Sequence, residues 1–168
     1  IASMGSATRR DSASGMPRYG DPAPSLWLVH AADLYARRAD DPDFARETLV
    51  PALESIMHYY RAGTRGGIRV DSDGLLASGE GEASEKRADL NALWYHALVA
   101  LATLARMVGR RENGAFFLAW ARDHQNRFLE SFWDPQRHLL AWSLRASGPV
   151  YELRPSLILA ASLPPSLL

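Results

Sequence analysis

Apolar residues recur at helical spacing along four stretches of the chain. From Ser25 to about Arg38, Leu26, Val29 and Leu34 join Trp27 and Ala31 on one broad face. A second stretch carries Ala45, Leu49, Ala52, Leu53, Ile56, Met57 and Tyr60. Asp41-Pro42 ahead of it reads as an N-cap followed by Pro at the first helical position. Pro51 falls inside this stretch and predicts a kink or a division, because its ring removes a donor and crowds the preceding turn. The third stretch opens at Asp89 and carries Leu90, Leu93, Trp94, Ala97, Leu98, Leu101, Leu104, Ala105 and Val108, with Gly109 at the C-terminal cap. The fourth, from about Glu112 to Phe132, uses Phe117, Trp120, Ala121, His124, Phe128 and Phe132, and Gly114 weakens its first turn. Arg154-Pro155 followed by Ser156-Leu157-Ile158-Leu159 reads as the start of a fifth helix.

Two stretches break this rhythm. Gly63 to Gly81 is Gly-rich and holds Ile68-Arg69-Val70 and Gly74-Leu75-Leu76 around Asp71-Ser72-Asp73, which predicts a short hairpin turning at Gly74. After Asp134-Pro135, Leu140, Trp142 and Leu144 alternate, which predicts a second small hairpin. Three helix starts also share a pattern: a carboxylate, then Pro or Asn, then Leu and a bulky apolar residue, at Asp21–Trp27, Asp89–Trp94 and Glu152–Leu157. Trp94 follows Trp27 by 67 residues, and Leu157 follows Trp94 by 63. Recurrence at that length suggests helical repeats that bury their apolar faces against one another. The expected fold is all-α: an incomplete (α/α)6 toroid of helix pairs with short β-hairpins in the connecting loops. A closed ring of six pairs needs roughly twelve helices and some 350–450 residues. About five helices are expected here. Residues 19–168 form the expected toroid segment, and residues 1–18, mostly Ala, Ser, Gly and Arg without apolar period, a mobile lead-in.

Composition changes the picture in one respect only. Nineteen basic residues balance nineteen acidic ones, so no net field recruits nucleic acid or anionic lipid. The apolar runs are broken by His, Arg or Pro well short of a membrane span. The absence of Cys removes disulfides and thiolate metal sites and fits a cytoplasmic location. No metal or cofactor is expected. The histidines at 30, 58, 96, 124 and 138 form no His-x-x-x-His pair. Asp71-Ser72-Asp73-Gly74 lacks the later ligands of an EF-hand loop and reads better as a turn.

Tyr60-Arg61-Ala62-Gly63-Thr64-Arg65-Gly66-Gly67-Ile68-Arg69-Val70-Asp71-Ser72-Asp73-Gly74-Leu75-Leu76, followed by Asp89-Leu90-Asn91-Ala92-Leu93-Trp94-Tyr95, resembles the C-terminal domain of glycogen debranching enzymes, the amylo-α-1,6-glucosidase family. Tyr19 with Leu26-Trp27, Phe132-Trp133, and Arg154-Pro155 through Ser162-Leu163-Pro164 continue the resemblance in order over residues 19–168. It implies an (α/α)6 toroid acting in glycogen catabolism. Its substrate is an α-glucan or branched oligosaccharide, from which it hydrolyses the α-1,6-linked glucose at a branch point with inversion. The chain departs from the family pattern between hairpin and helix. A longer loop with Trp-Met-Asp-Ala, whose Asp resembles a general acid, is replaced by the shorter run Ala77 to Ala88. Ala23 also stands where the family has an Asp before the first Leu-Trp, with Asp21 two residues earlier.

Inverting glycosidases need one protonated carboxyl and one carboxylate, roughly 6.5–9.5 Å apart. Glu80 and Glu82 are the acids of the shortened loop that stand as substitutes; solvated loop charge is the plainer reading. Asp89 and Asn91 either hydrogen-bond sugar hydroxyls or serve the helix N-terminus. Trp94 and Trp27 either stack on a sugar ring or fill the core, and Tyr95, one step round from Trp94, reaches toward the cavity. Arg154 contacts ligand or pairs with Glu152. The expected partner besides sugar is the remaining part of the toroid. The competing reading is a non-catalytic carbohydrate-binding or scaffold protein of the same fold. An epimerase or invertase relative on such a toroid is a third.

Overall fold

The structure, a computed structural model, describes residues 21–168 together with the backbone of residues 9–10 and 17–18. The expected lead-in, residues 1–18, lies outside the described residues apart from that backbone, where β1 (Arg9–Arg10) pairs antiparallel with β2 (Pro17–Arg18).

Helices α1 (Ala23–Arg38), α2 (Pro42–Phe44), α3 (Val50–Ala62), α4 (Ala88–Met107), α5 (Arg111–Phe132) and α6 (Leu159–Ser162) account for most of the described chain. The Asp41 side chain accepts from the Phe44 N–H at 3.0 Å, so the expected cap before Pro42 is made. Pro51 does not divide the helix it interrupts. A π-helical turn at Ala45–Leu49 joins α2 to α3 just ahead of it. Widening that turn accommodates the ring and the missing donor without breaking the axis.

Helix α4 is the centre of the packing. Sixteen of its 20 residues are buried, as expected of a helix that is apolar on every side. It touches α1, α3, α5 and α6. One face, with Asn91, Trp94, Leu98 and Leu101, lies toward α3 and α5. There the Trp94 ring meets Tyr60 at 6.0 Å and Trp120 at 5.4 Å. Another turns His96 to His30 of α1. Helix α5 instead buries a single stripe of Gly114, Phe117, Ala121, His124, Phe128 and Phe132, the mark of an outer helix. Gly114 does more than weaken a turn. A Cβ there would stand 2.6 Å from Arg106 Cγ and 2.9 Å from the Ala102 carbonyl oxygen, so its lack of a side chain lets α5 approach α4.

Helix α1 departs from expectation. Leu26, Val29, Ala32 and Asp33 are buried, whereas Trp27, Leu28, Leu34 and Tyr35 remain 37–51% exposed. The broad face read from sequence is two faces, one in the core and one open.

The expected hairpin around Gly74 forms, whereas the Leu140, Trp142, Leu144 alternation is divided between two sheets with Trp142 in neither strand, and the chain is helical with small sheets rather than purely α. Strand β3 (Arg69–Val70) pairs with β4 (Leu76–Ala77) around Gly74 at φ +82°. Strand β6 (Trp133–Asp134) pairs with β7 (Leu139–Leu140). A three-stranded sheet goes beyond the sequence reading: β5 (Lys86–Arg87) pairs with β8 (Ser143–Arg145), which pairs with β9 (Gly148–Val150). It brings the loop after α3 beside the loop after α5, at the start of α4.

Candidate functional site: a charged mouth around Trp142

The β5–β8 pairing carries Trp142 to the first turn of α4, where its carbonyl accepts from the Ala88 N–H at 2.9 Å. The Trp142 N–H donates to Val150 at 2.8 Å, fixing the same residue to β9. The buried indole organises two guanidinium groups. Arg154 lies 4.0 Å from its centroid and Arg87 5.7 Å, both within cation–π range. Each arginine has an acid of its own. Arg87 grips both Asp89 oxygens, at 3.1 and 2.6 Å, and Arg154 reaches Glu152 at 2.8 Å.

Asp21 stands ahead of α1. It accepts from the Ala23 N–H at 3.0 Å, and its field reaches Arg87. Burial works against the Arg87 charge. The bonds from Asp89, aided by Asp21 and Glu85, outweigh it and raise the guanidinium pKa. The Tyr60 hydroxyl donates to the Pro22 carbonyl at 3.5 Å, tying the end of α3 to the start of α1, and burial pushes its phenol up to about 12. The start of α4 and the chain ahead of the 3₁₀ turn Pro155–Ile158 thus bring the Arg87–Asp89 and Arg154–Glu152 pairs to one indole, while Asp21 stands ahead of α1.

Of the residues nominated from sequence, Asp89 and Arg154 stand in this mouth. Asp89 is not the helix cap, since α4 begins at Ala88; it sits in the first turn, where its negative charge suits the helix dipole. Asn91 is fully buried. Its amide accepts from the Leu76 N–H at 2.8 Å and donates to the Leu76 and Arg87 carbonyls at 3.0 and 2.8 Å, clamping the β3–β4 hairpin to α4. Trp94 is fully buried too. Tyr95 is 7% exposed and opens a stripe with the half-buried Val99 and Thr103, the least covered side of the upper part of α4. Trp27 is 40% exposed and meets His30 edge-on at 5.6 Å. Glu80 and Glu82 are exposed around the 3₁₀ turn Gly81–Ala83 and lack the apolar enclosure that suits a general acid.

Arg87 and Trp142 were not nominated from the sequence. Arg87 stands two residues before Asp89, a spacing that becomes a bidentate pair only because the chain turns from strand to helix between them. Trp142 showed as one member of an alternating triplet, a signal for a strand and silent about its neighbours. Asp71 and Asp73 act structurally. Asp73 accepts from the Leu75 N–H at 3.2 Å, and both pair with Lys86, at 3.1 and 2.6 Å. Among the described residues no three His, Asp or Glu side chains converge as a metal site, and no helix is long and apolar enough to cross a membrane.

Two buried histidines make the scaffold pH-sensitive. His124 is enclosed between the carbonyls of Gly74 and Asn91, at 3.0 and 3.1 Å, and burial lowers its pKa despite them. His96 donates from Nδ1 to the Pro164 carbonyl at 2.9 Å, which leaves Nε2 to accept from His30 Nδ1 at 2.8 Å. Burial and then the neighbouring His30 lower it. A histidine depressed in the fold binds its proton more readily in the unfolded chain. Stability is therefore full above the ordinary value of about 6.5 and falls as the pH drops below it. The urea midpoint at pH 5 is expected below that at pH 8, and His124→Gln is expected to reduce the difference. Asp134, lowered chiefly by the Arg137 N–H, loses its contribution only under more acidic conditions.

The chain belongs to a family of glycoside hydrolases, shown by the match of residues 10–168 to the family described as Amylo-alpha-1,6-glucosidase. Among solved structures it is similar to a GH78 family rhamnosidase of Bacillus sp. GL1, at 18% identity and a TM-score of 0.67. That similarity covers 81% of this chain and 15% of the rhamnosidase, so it speaks to the fold alone. A search of curated protein sequences gave no match.

Proposed function

We propose that this chain is one segment of an (α/α)6 toroid that hydrolyses α-1,6-linked glucose at the branch points of an α-glucan with inversion, and that the Trp142 mouth holds the sugar. The convergence of the Arg87–Asp89 and Arg154–Glu152 pairs around one indole carries this reading. Fixed ion pairs in which Arg87, Arg154 and Glu152 keep part of the side chain in water present donors and an acceptor together, which suits the paired hydroxyls of a neutral sugar. The packing supports a partial ring. Helices α1 and α6 each contact α4, α3 and α5 contact its other face, and the outward surface of α1 stays apolar. At the other end Leu153 and Ile158 are 94% and 63% exposed, which suits contact with a further helix pair.

The residues at the mouth bind and orient. Both oxygens of Asp89 are engaged by Arg87, which favours positioning over proton transfer. General acid and base then come from the remaining part of the ring. Glu80 and Glu82 are weak substitutes at most.

Arg154→Ala is expected to weaken retardation of the protein by limit dextrin in an affinity gel about tenfold, as the loss of a charged hydrogen bond implies. Unchanged retardation would remove the mouth from the sugar site. A full-length protein carrying this segment should release glucose from limit dextrin, with the β anomer formed first. Binding without release would favour the non-catalytic alternative, and release of the α anomer would contradict inversion.

A further inference from the structure

A cleft whose walls share no residue with the arginine cluster lies beside the outer helix α5. It encloses about 520 Å³, within the rough 300–1,000 Å³ range of small-molecule sites, between the last turn of α3, the β3 hairpin and α5. Its walls are Arg61, Val70, Asp71, Phe116, Trp120 and Asp123. Arg61, Val70 and Asp71 belong to the Tyr60–Leu76 stretch, which the mouth leaves largely unused.

The chemistry of the walls narrows the ligand. Phe116 and Trp120 are tilted by 56° with centroids 5.9 Å apart, forming an open aromatic corner. The Arg61 guanidinium stands over both rings, 5.9 and 5.5 Å from their centroids, and among the described residues these rings are its partners. Asp71 is already paired with Arg69 at 2.7 Å and with Lys86. Asp123 is exposed and forms no ion pair among the described residues. One unpaired cation and one unpaired anion therefore face the same cleft. An anionic ligand would meet Asp123, and a cationic one Arg61. A neutral polyol meets a donor, an acceptor and an aromatic wall for its C–H face.

We propose that this cleft is a second carbohydrate site, distinct from the Trp142 mouth, that holds a linear α-glucan segment on the outer surface. The choice of α-glucan among neutral polyols rests on the proposed function; the existence of a neutral-sugar site rests on the cleft. Trp120 stacks on the sugar, Arg61 donates to its hydroxyls, and Asp123 accepts from them. The outer position lets a chain be held while a branch enters the mouth.

The two sites carry separate reporters, the indole N–H groups of Trp120 and Trp142. Titration of the isotopically labelled protein with maltoheptaose is expected to shift the Trp120 resonance saturably. Arg61→Ala combined with Asp123→Asn, both exposed, is expected to weaken that response about tenfold or more while any Trp142 response persists. A Trp120 shift without a Trp142 shift would uphold the outer site and count against the mouth. No saturable Trp120 shift, or one that the double variant leaves unaltered, would overturn the proposal. A response to glucose 6-phosphate stronger than to maltoheptaose would also overturn it, by marking the cleft as an anion site.

Discussion

Trp94→Ala is expected to lower the unfolding free energy by about 3–5 kcal/mol, the range for removing a large aromatic from a close-packed core. The indole is fully buried where α3, α4 and α5 meet, with Tyr60 on one side and Trp120 edge-on to it. Truncation leaves a cavity at the junction of three helices, and α4 has no solvent side on which to collapse. Among the described residues its Nε1 has no hydrogen-bond partner, so the expected loss rests on contact and area. Phe at this position is expected to recover much of the loss, whereas a hydrogen-bonding residue such as His is not. Chemical denaturation measures the effect. Sugar affinity of the folded fraction should change little, because the ring is fully buried in the core against Tyr60 and Trp120.

Asn91→Ala is expected to have the next largest effect, through hydrogen bonds instead of volume. Removal of the amide strands the Leu76 N–H, which costs about 1–3 kcal/mol for a buried donor, before the Leu76 and Arg87 carbonyls are considered. Asp in its place restores an acceptor for Leu76 but turns a carboxylate oxygen toward the two carbonyls, so no rescue is expected. Local consequences separate this variant from Trp94→Ala. The β3–β4 hairpin should lose amide-exchange protection more than the α1–α4 contact does. Uniform loss across the molecule would contradict the clamp. Arg87 accompanies the hairpin, because its carbonyl is bound by the same amide.

The helices were legible in the sequence because their signals are local. Apolar spacing located α4 and α5 within a few residues, and Gly109, at φ +84°, ends the first of them as its position suggested. The Gly74 hairpin was legible for the same reason, while the alternation at Leu140, Trp142 and Leu144 marked two separate sheets as one hairpin. What the sequence did not show was which side of a helix meets which neighbour. Trp27 is the fifth residue of α1 and Trp94 the seventh of α4. Two positions rotate a side chain by about 200°, so the recurring tryptophans occupy opposite environments. The repeat was right for the elements and misleading for the side chains.

The mouth was half legible. Asp89 and Arg154 were found because they sit at helix starts beside residues of distinctive type. Arg87 and Trp142 are 55 residues apart, and only the pairing of β5 with β8 unites them. Strands of two and three residues carry too little pattern to announce such pairing. Asn91 shows the converse. A polar residue at the head of a buried helix looked like a ligand contact, and its function is to fasten a loop.

The central claim is that two helix entrances form one sugar-binding mouth organised by Trp142. Crystallographic or NMR mapping of a bound branched maltooligosaccharide tests it most directly. Contacts from Arg87, Arg154 and Glu152 are expected. A sugar bound wholly outside that neighbourhood, with the Arg154–Trp142 stack undisturbed and unapproached, would contradict it.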